Sequence, residues 1–353
     1  MRRLTTIVSL LAVATLTTSL TSTSAFAADH PQPAWQDLAT GSTSSLRGLS
    51  AVNRRVAWAS GSVGEVLRTV DGGQTWQHVG PPDTASLQFR DIQAFDADHA
   101  VILSIGEGED SRIYVTSDGG ASWTETFRNS EPAAFYDCMA FFDHRHGLAL
   151  SDPVDGQFRI LSTSDGGDSW SVVPGEGMPA ALAGEFAFAA SGTCIAVAAG
   201  DHAWFATGGG ATARVFSSAD RGRTWTATDT AIPSGPSAGI YSLAFRDRVH
   251  GIAVGGDFAA PDAAPDGAAL TGDGGQTWQI AQDEPGAYRS GVAWTHLPSV
   301  AIAVGPPGSD ITYDGGRTWH RFDSTSLHGV QCTDDGSCWA SGANGRVARL
   351  ILA

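Results

Sequence analysis

Arg47, Arg90 and Arg289 each stand four residues ahead of an alanine (Ala51, Ala94, Ala293) in a short apolar run. A guanidinium offers a fork of N–H donors that suits a carboxylate or phosphate, so three at one spacing suggest a shared anion-binding position. Four more runs align on Ala140, Ala189, Ala244 and Cys332, and the residues four before them are Tyr136, Glu185, Ile240 and His328. Six of the seven positions are polar or ionisable, with Asp91, Asp137 and Tyr241 beside them. Strand starts that meet solvent are often polar for no further reason. A ring of arginines at equivalent places asks for more. Two chemistries fit: capture of an anion by Arg47, Arg90, Arg289 and His328, or catalysis by tyrosine and carboxyl groups drawn from Tyr136, Tyr241, Glu185 and Asp137.

The elements that must position these residues follow from a repeat. The phrase Thr/Ser-x-Asp-x-Gly-x-x-Trp occurs six times, with its aspartate at Asp71, Asp118, Asp165, Asp220, Asp273 and Asp314. The steps between them are 47, 47, 55, 53 and 41 residues, about the length of one four-stranded propeller blade. In each phrase the Asp accepts bonds from its own turn, and the Gly supplies a backbone angle that other residues resist. The Thr/Ser hydroxyl adds a local bond and the Trp plugs the gap between blades. Only the fourth copy departs, with Arg221 in place of the first Gly. Six near-identical turns read as structure rather than as six metal or acid sites.

Two apolar runs precede each phrase. The first runs are Leu49–Val52, Ile92–Phe95, Cys138–Phe142, Phe186–Ala189, Leu243–Phe245, Val292–Trp294 and Val330–Cys332. The second include Val56–Ala59, Gly147–Leu150, Cys194–Ala198 and Cys338–Ala340. Short β-rich runs split by Gly, Asp and Pro read as strands, and no helical period is sustained. Seven pairs of runs but six phrases imply a seventh blade without its own outer strand. Pro33–Leu38 resembles the strands after a repeat Trp and would fill that place, closing the ring. The expectation is an all-β, seven-bladed propeller over residues 28–353 closed by an N-terminal strand, with six blades as the alternative.

The repeated phrase is the Asp-box, or bacterial neuraminidase repeat. With seven such blades and an export signal, the chain resembles the photosystem II stability and assembly factor family across nearly its whole length. Sortilin-type receptors and sialidases share the box. The sialidase resemblance implies an arginine triad (Arg47, Arg90, Arg289) on a substrate carboxylate, Tyr136 or Tyr241 paired with Glu185 as nucleophile, and Asp91, Asp137 or Asp152 as acid. The Arg-Ile-Pro signature of sialidases is absent, since Gly48-Leu49 follows Arg47.

Composition bounds the rest. Arg2-Arg3, an apolar run near Ile7–Leu16 and Ala25-Phe26-Ala27 read as a signal peptide cleaved after Ala27, which predicts a secreted protein. That run is too short and Thr-rich for a lasting anchor, so no membrane insertion is expected. Losing Arg2 and Arg3 would take the formal charge from −16 to −18, which disfavours nucleic acid as a partner. All 21 basic residues are Arg, a composition typical of GC-rich bacterial genomes.

Four cysteines in an exported chain allow three pairings. Cys332 and Cys338 flank a five-residue turn, and bridging them leaves Cys138 for Cys194. No C-x-x-C, zinc pattern or dinucleotide-binding G-x-G-x-x-G is present, so an oxidoreductase role, a metal and a cofactor are not expected. Long loops on the channel face bring in Asp152, Asp155, Asp201, His202, Trp204 and Asp257. There Trp204 could stack on a sugar or other planar ligand, and the Pro/Ala-rich stretch 257–267 predicts mobility. The partner expected is an anionic small molecule, a glycan or a protein segment.

Overall fold

The computed structural model describes residues 33–198 and 200–352, and the leader and its cleavage site lie outside them. Seven four-stranded antiparallel sheets stand around an axis, each ordered from inner to outer strand. In blade 1 these are Leu46–Ala51, Ala57–Gly61, Val66–Thr69 and Gln77–His78. Blade 7 has three C-terminal strands, Gly329–Cys332, Cys338–Ser341 and Val347–Leu352. Its fourth is the N-terminal Pro33–Leu38, paired from Pro33 opposite Leu352 to Leu38 opposite Val347. The ring closes as expected, with seven blades rather than six.

Inner strands start at one mouth of the channel, so the loops between second and third strands share that mouth. The repeated turns, between third and outer strands, lie at the other face. In the first, Thr69 Oγ1 donates to Asp71 (2.9 Å) and accepts from Gly73 N (2.9 Å), while Asp71 accepts from Thr75 N and Oγ1. The same bonds recur at Asp118, Asp165, Asp220, Asp273 and Asp314. Arg221 takes the left-handed conformation (φ 60°) that glycine supplies elsewhere. These bonds hold Asp71 and Asp118 down at about 2.

Among the described residues one apolar cluster fills each of the seven seams between blades. Second-strand tryptophans Trp58, Trp204 and Trp339 are buried there, and repeat tryptophans Trp123 and Trp76 meet Trp58 and Trp339 edge-on. Both disulfides form. Cys332–Cys338 closes the first hairpin of blade 7, and Cys138–Cys194 ties blade 3 to the start of blade 4. Two disulfides point to an oxidising, extracytoplasmic environment. No helix among the described residues is long and apolar enough to cross a membrane.

Blade 4 departs from expectation. Its inner strand is Ile195–Ala198 and its second strand His202–Ala206, so Phe186–Ala189 is not a blade strand. His202 and Trp204 therefore sit in a strand near the repeated-turn face, not in a loop over the mouth. Trp204 is buried, stacked on Phe245 at 3.7 Å, and its indole N–H donates to Gly274 O. The Asp152–Asp155 stretch is a hairpin, turning at Asp155-Gly156 between paired Val154 and Gln157. The 257–267 stretch is bonded to its surroundings through Phe258 N to Ser237 O, Ala264 N to Gly286 O and Tyr288 N to Pro261 O.

Candidate functional site

Residues 186–193, displaced from blade 4, meet all seven blades, and such a stretch must lie on the propeller axis. Ala190 O accepts from Arg47 of blade 1 (3.1 Å) and Ala189 O from Arg90 of blade 2 (2.9 Å). Ala187 N donates to Asp152 of blade 3, and Phe186 bridges Gly208 of blade 4. Phe188 stacks on Tyr241 of blade 5 at 3.9 Å. Ser191 Oγ donates to Ser290 O, just ahead of the blade 6 inner strand, and a β-carbon on Gly329 of blade 7 would lie 3.7 Å from Ser191 Cβ. Gly192 has φ 75°, and a side chain there would run into the Asp91 carboxyl. Below it the chain is held by the Cys138–Cys194 bridge. Above it Glu185 is buried, taking Arg214 and Thr207 Oγ1 as partners.

A pocket of about 360 Å³ opens above this axial segment at the mouth. Arg47 and Arg90 form one side, with Phe188, Tyr241, Tyr288 and Phe258 around them. Inner strands enter here through β-bulges at Arg47, Arg90, Asp137 and Tyr241, which turn those side chains out of the seam. Neither Arg47 nor Arg90 has a carboxylate within ion-pair distance among the described residues. Burial, then the charge of Arg47, pushes Arg90 down to about 10. Burial and both arginines push His328 down to about 3, so its ring is neutral, with Nδ1 unpartnered.

Other candidates lie elsewhere. Arg289 is fully buried in an ion pair with Asp310 and donates to Tyr288 O, so the three arginines do not converge. Tyr136 is buried in the seam of blades 2 and 3 beside Phe127, 5.4 Å between rings. With Glu185 committed to Arg214, the nucleophile pair of the hydrolase expectation is not assembled. Tyr241 does line the pocket, its hydroxyl donating to Ser237 O. Asp257 caps the turn beside it through Ala259 N. Among the described residues no three His, Cys, Asp or Glu side chains gather as a metal site.

Under the arginines lies a group of buried carboxyls. Asp91 accepts from Ile92 N and Met139 N, yet burial pushes it up to about 8. Burial pushes Asp152 up to about 7, and burial with the Asp152 charge raises Asp137, against Arg90. A carboxyl raised on folding contributes stability fully below its unfolded value, near 4, and loses it as pH rises through its folded value. The repeat aspartates act oppositely, their contribution falling away as pH drops toward 2. Thermal stability should therefore peak near pH 4–5 and decline through pH 7–8. Asp137→Asn, which removes one of the crowded charges, should raise the melting temperature by a few degrees at pH 8 and little at pH 5. A flat profile from pH 5 to 8 would count against protonated carboxyls on the axis.

No protein-family model and no curated protein matches the chain. In shape it is similar to YCF48 bound to a D1 peptide, at 15% identity and TM-score 0.64, covering 92% of this chain and 98% of that one. YCF48 from Cyanidioschyzon merolae gives 16% identity and TM-score 0.63, covering 90% and 98%. The GH74 xyloglucanase from Xanthomonas campestris gives 18% and 0.62, covering 90% of this chain and 53% of the enzyme. The expected likeness to photosystem II assembly-factor propellers is met in shape. At such identities it is a likeness of fold.

Proposed function

We propose that this chain is an exported binding module that captures an anionic group, on a small molecule or a protein segment, at the channel mouth. The observation that carries this is the pair Arg47 and Arg90, half-buried side by side in one pocket, with no carboxylate at ion-pair distance, in a protein of net charge −16. Holding two half-buried guanidinium groups without an ion pair, with only the more distant Asp137 acting on Arg90, carries a cost that a bound anion would offset. The YCF48 propeller bound to a D1 peptide supports capture of a protein segment as one form of this role. The disulfides and the N-terminal sequence support export.

The test is calorimetric titration of the protein with acetate, phenylpropionate and short acidic peptides at low salt. Arg47→Gln/Arg90→Gln keeps a donor toward Ala189 and Ala190 while removing both charges. Binding should weaken by roughly 10-fold or more, since a hydrogen bond to a charged group contributes about 1.5–3 kcal/mol. Equal binding by the double variant, or no binding of any member by the native protein, would overturn the proposal.

A further inference from the structure

Two features of the mouth pocket narrow its ligand. The first is the donor count. Nη1 of each arginine is taken up by a carbonyl of the axial segment, and Nη2 of Arg90 donates to Gln88. Nε and Nη2 of Arg47 and Nε of Arg90 have no such bond. Nε and Nη2 of Arg47 thus form an open two-donor fork with Nε of Arg90 beside it, and such a fork takes the two oxygens of a carboxylate side by side.

The second feature is the wall. Tyr241 stacks on Phe188 and meets Tyr288 edge-on, with ring centres 4.7 Å apart, so three rings form one continuous apolar face. Phe258 stands at the rim with 55% of its surface exposed, held in place by its backbone bond to Ser237. A phenylalanine displayed beside a ring-lined cavity leaves apolar surface to be covered by a bound group. At about 360 Å³ the cavity lies at the small end of ligand-sized pockets, enough for one ring and a short arm.

Building on the capture role above, we infer that the mouth pocket binds a carboxylate carried on a short arm from an aromatic ring. The carboxylate bridges Arg47 and Arg90, and the ring lies against Tyr241 and under Phe258. Such a group can be a free arylalkanoic acid or a chain end whose last residue is aromatic.

The probes are 3-phenylpropionate, acetate, benzyl alcohol and phenyl phosphate. The peptide Gly-Gly-Gly-Phe, with a free or an amidated end, separates the two sources. 3-Phenylpropionate should bind roughly 10-fold or more tighter than acetate or benzyl alcohol, as expected for one added ring contact of about 1.4 kcal/mol. Phe258→Ser should remove most of that advantage and leave acetate unchanged. Binding of the free-ended peptide but not its amide would identify a chain end as a source.

If acetate and acidic peptides bind through the arginines but the ring adds nothing, this inference falls and the capture role stands. The inference also falls if phenyl phosphate binds more tightly than 3-phenylpropionate. If 3-phenylpropionate binds equally well to Arg47→Gln/Arg90→Gln, both fall.

Discussion

Removing residues 28–40 should unfold the propeller or lower its stability by several kcal/mol, a large part of the roughly 5–15 kcal/mol of a typical domain. The deletion takes away the outer strand of blade 7 and strips six register positions from Val347–Leu352. It also removes Trp35, whose indole N–H donates to Ser309 Oγ (2.9 Å) and whose ring packs near Phe322 in blade 6. Thr40 Oγ1, bonded to Gly345 O, is lost as well. An unpaired edge and an opened seam remain. By contrast, replacing Cys332 and Cys338 with serine should cost about 2 kcal/mol, because a loop of six residues restrains little unfolded-chain entropy. Thermal melts of the two variants decide the matter. A deletion variant that melts with the native chain would mean that the N-terminal strand does not bear on closure.

Arg289→Met should cost about 3–5 kcal/mol, the range for removing one partner of a buried ion pair. The reason is Asp310, which is 1% exposed and would be left as an unpaired buried charge. Adding Asp310→Leu should recover much of the loss, since an apolar pair of similar volume replaces a buried ion pair at small cost. Binding at the mouth, measured on whatever fraction folds, should be unaffected by either change. That pattern separates Arg289 from Arg47 and Arg90. Loss of binding without loss of stability would restore Arg289 to the site.

The fold was legible because the repeat advertises it: six turn phrases, seven pairs of apolar runs and an N-terminal segment that reads as an outer strand. The site was legible only in part, and the reason is the two-residue period of a strand. Five blades share a five-residue turn after the inner strand, as between Ala51 and Ala57, Phe141 and Gly147, or Phe245 and Gly251. Aligning on Ala140 and Ala244 instead slips blades 3 and 5 by one residue. It selects Tyr136 and Ile240, which face the seams, in place of Asp137 and Tyr241. Counting back from the turn puts both at the equivalent position itself rather than beside it. Blade 6 has a six-residue turn between Trp294 and Ala301, and there the slip selects buried Arg289. Phe186–Ala189 has strand-like composition but no sheet to join. Nothing local says that it crosses the axis, because its partners come from every other blade.

The closure of blade 7 by an N-terminal strand also sets the order of events in folding. Pro33 and Leu352 are neighbours in space but lie at opposite ends of the described chain. Blades 1 to 6 are made of consecutive strands, so each can assemble from a local stretch of chain, whereas blade 7 needs Pro33–Leu38 and residues 329–352 together. Until then Pro33–Leu38 is a strand in search of a sheet, and the nascent ring is an open arc with an unsealed edge at each end. The vulnerable period lasts until Val347–Leu352 and Pro33–Leu38 have met. Any neighbouring copy at the same stage offers an equivalent edge, so ring closure within one chain competes with strand exchange between chains.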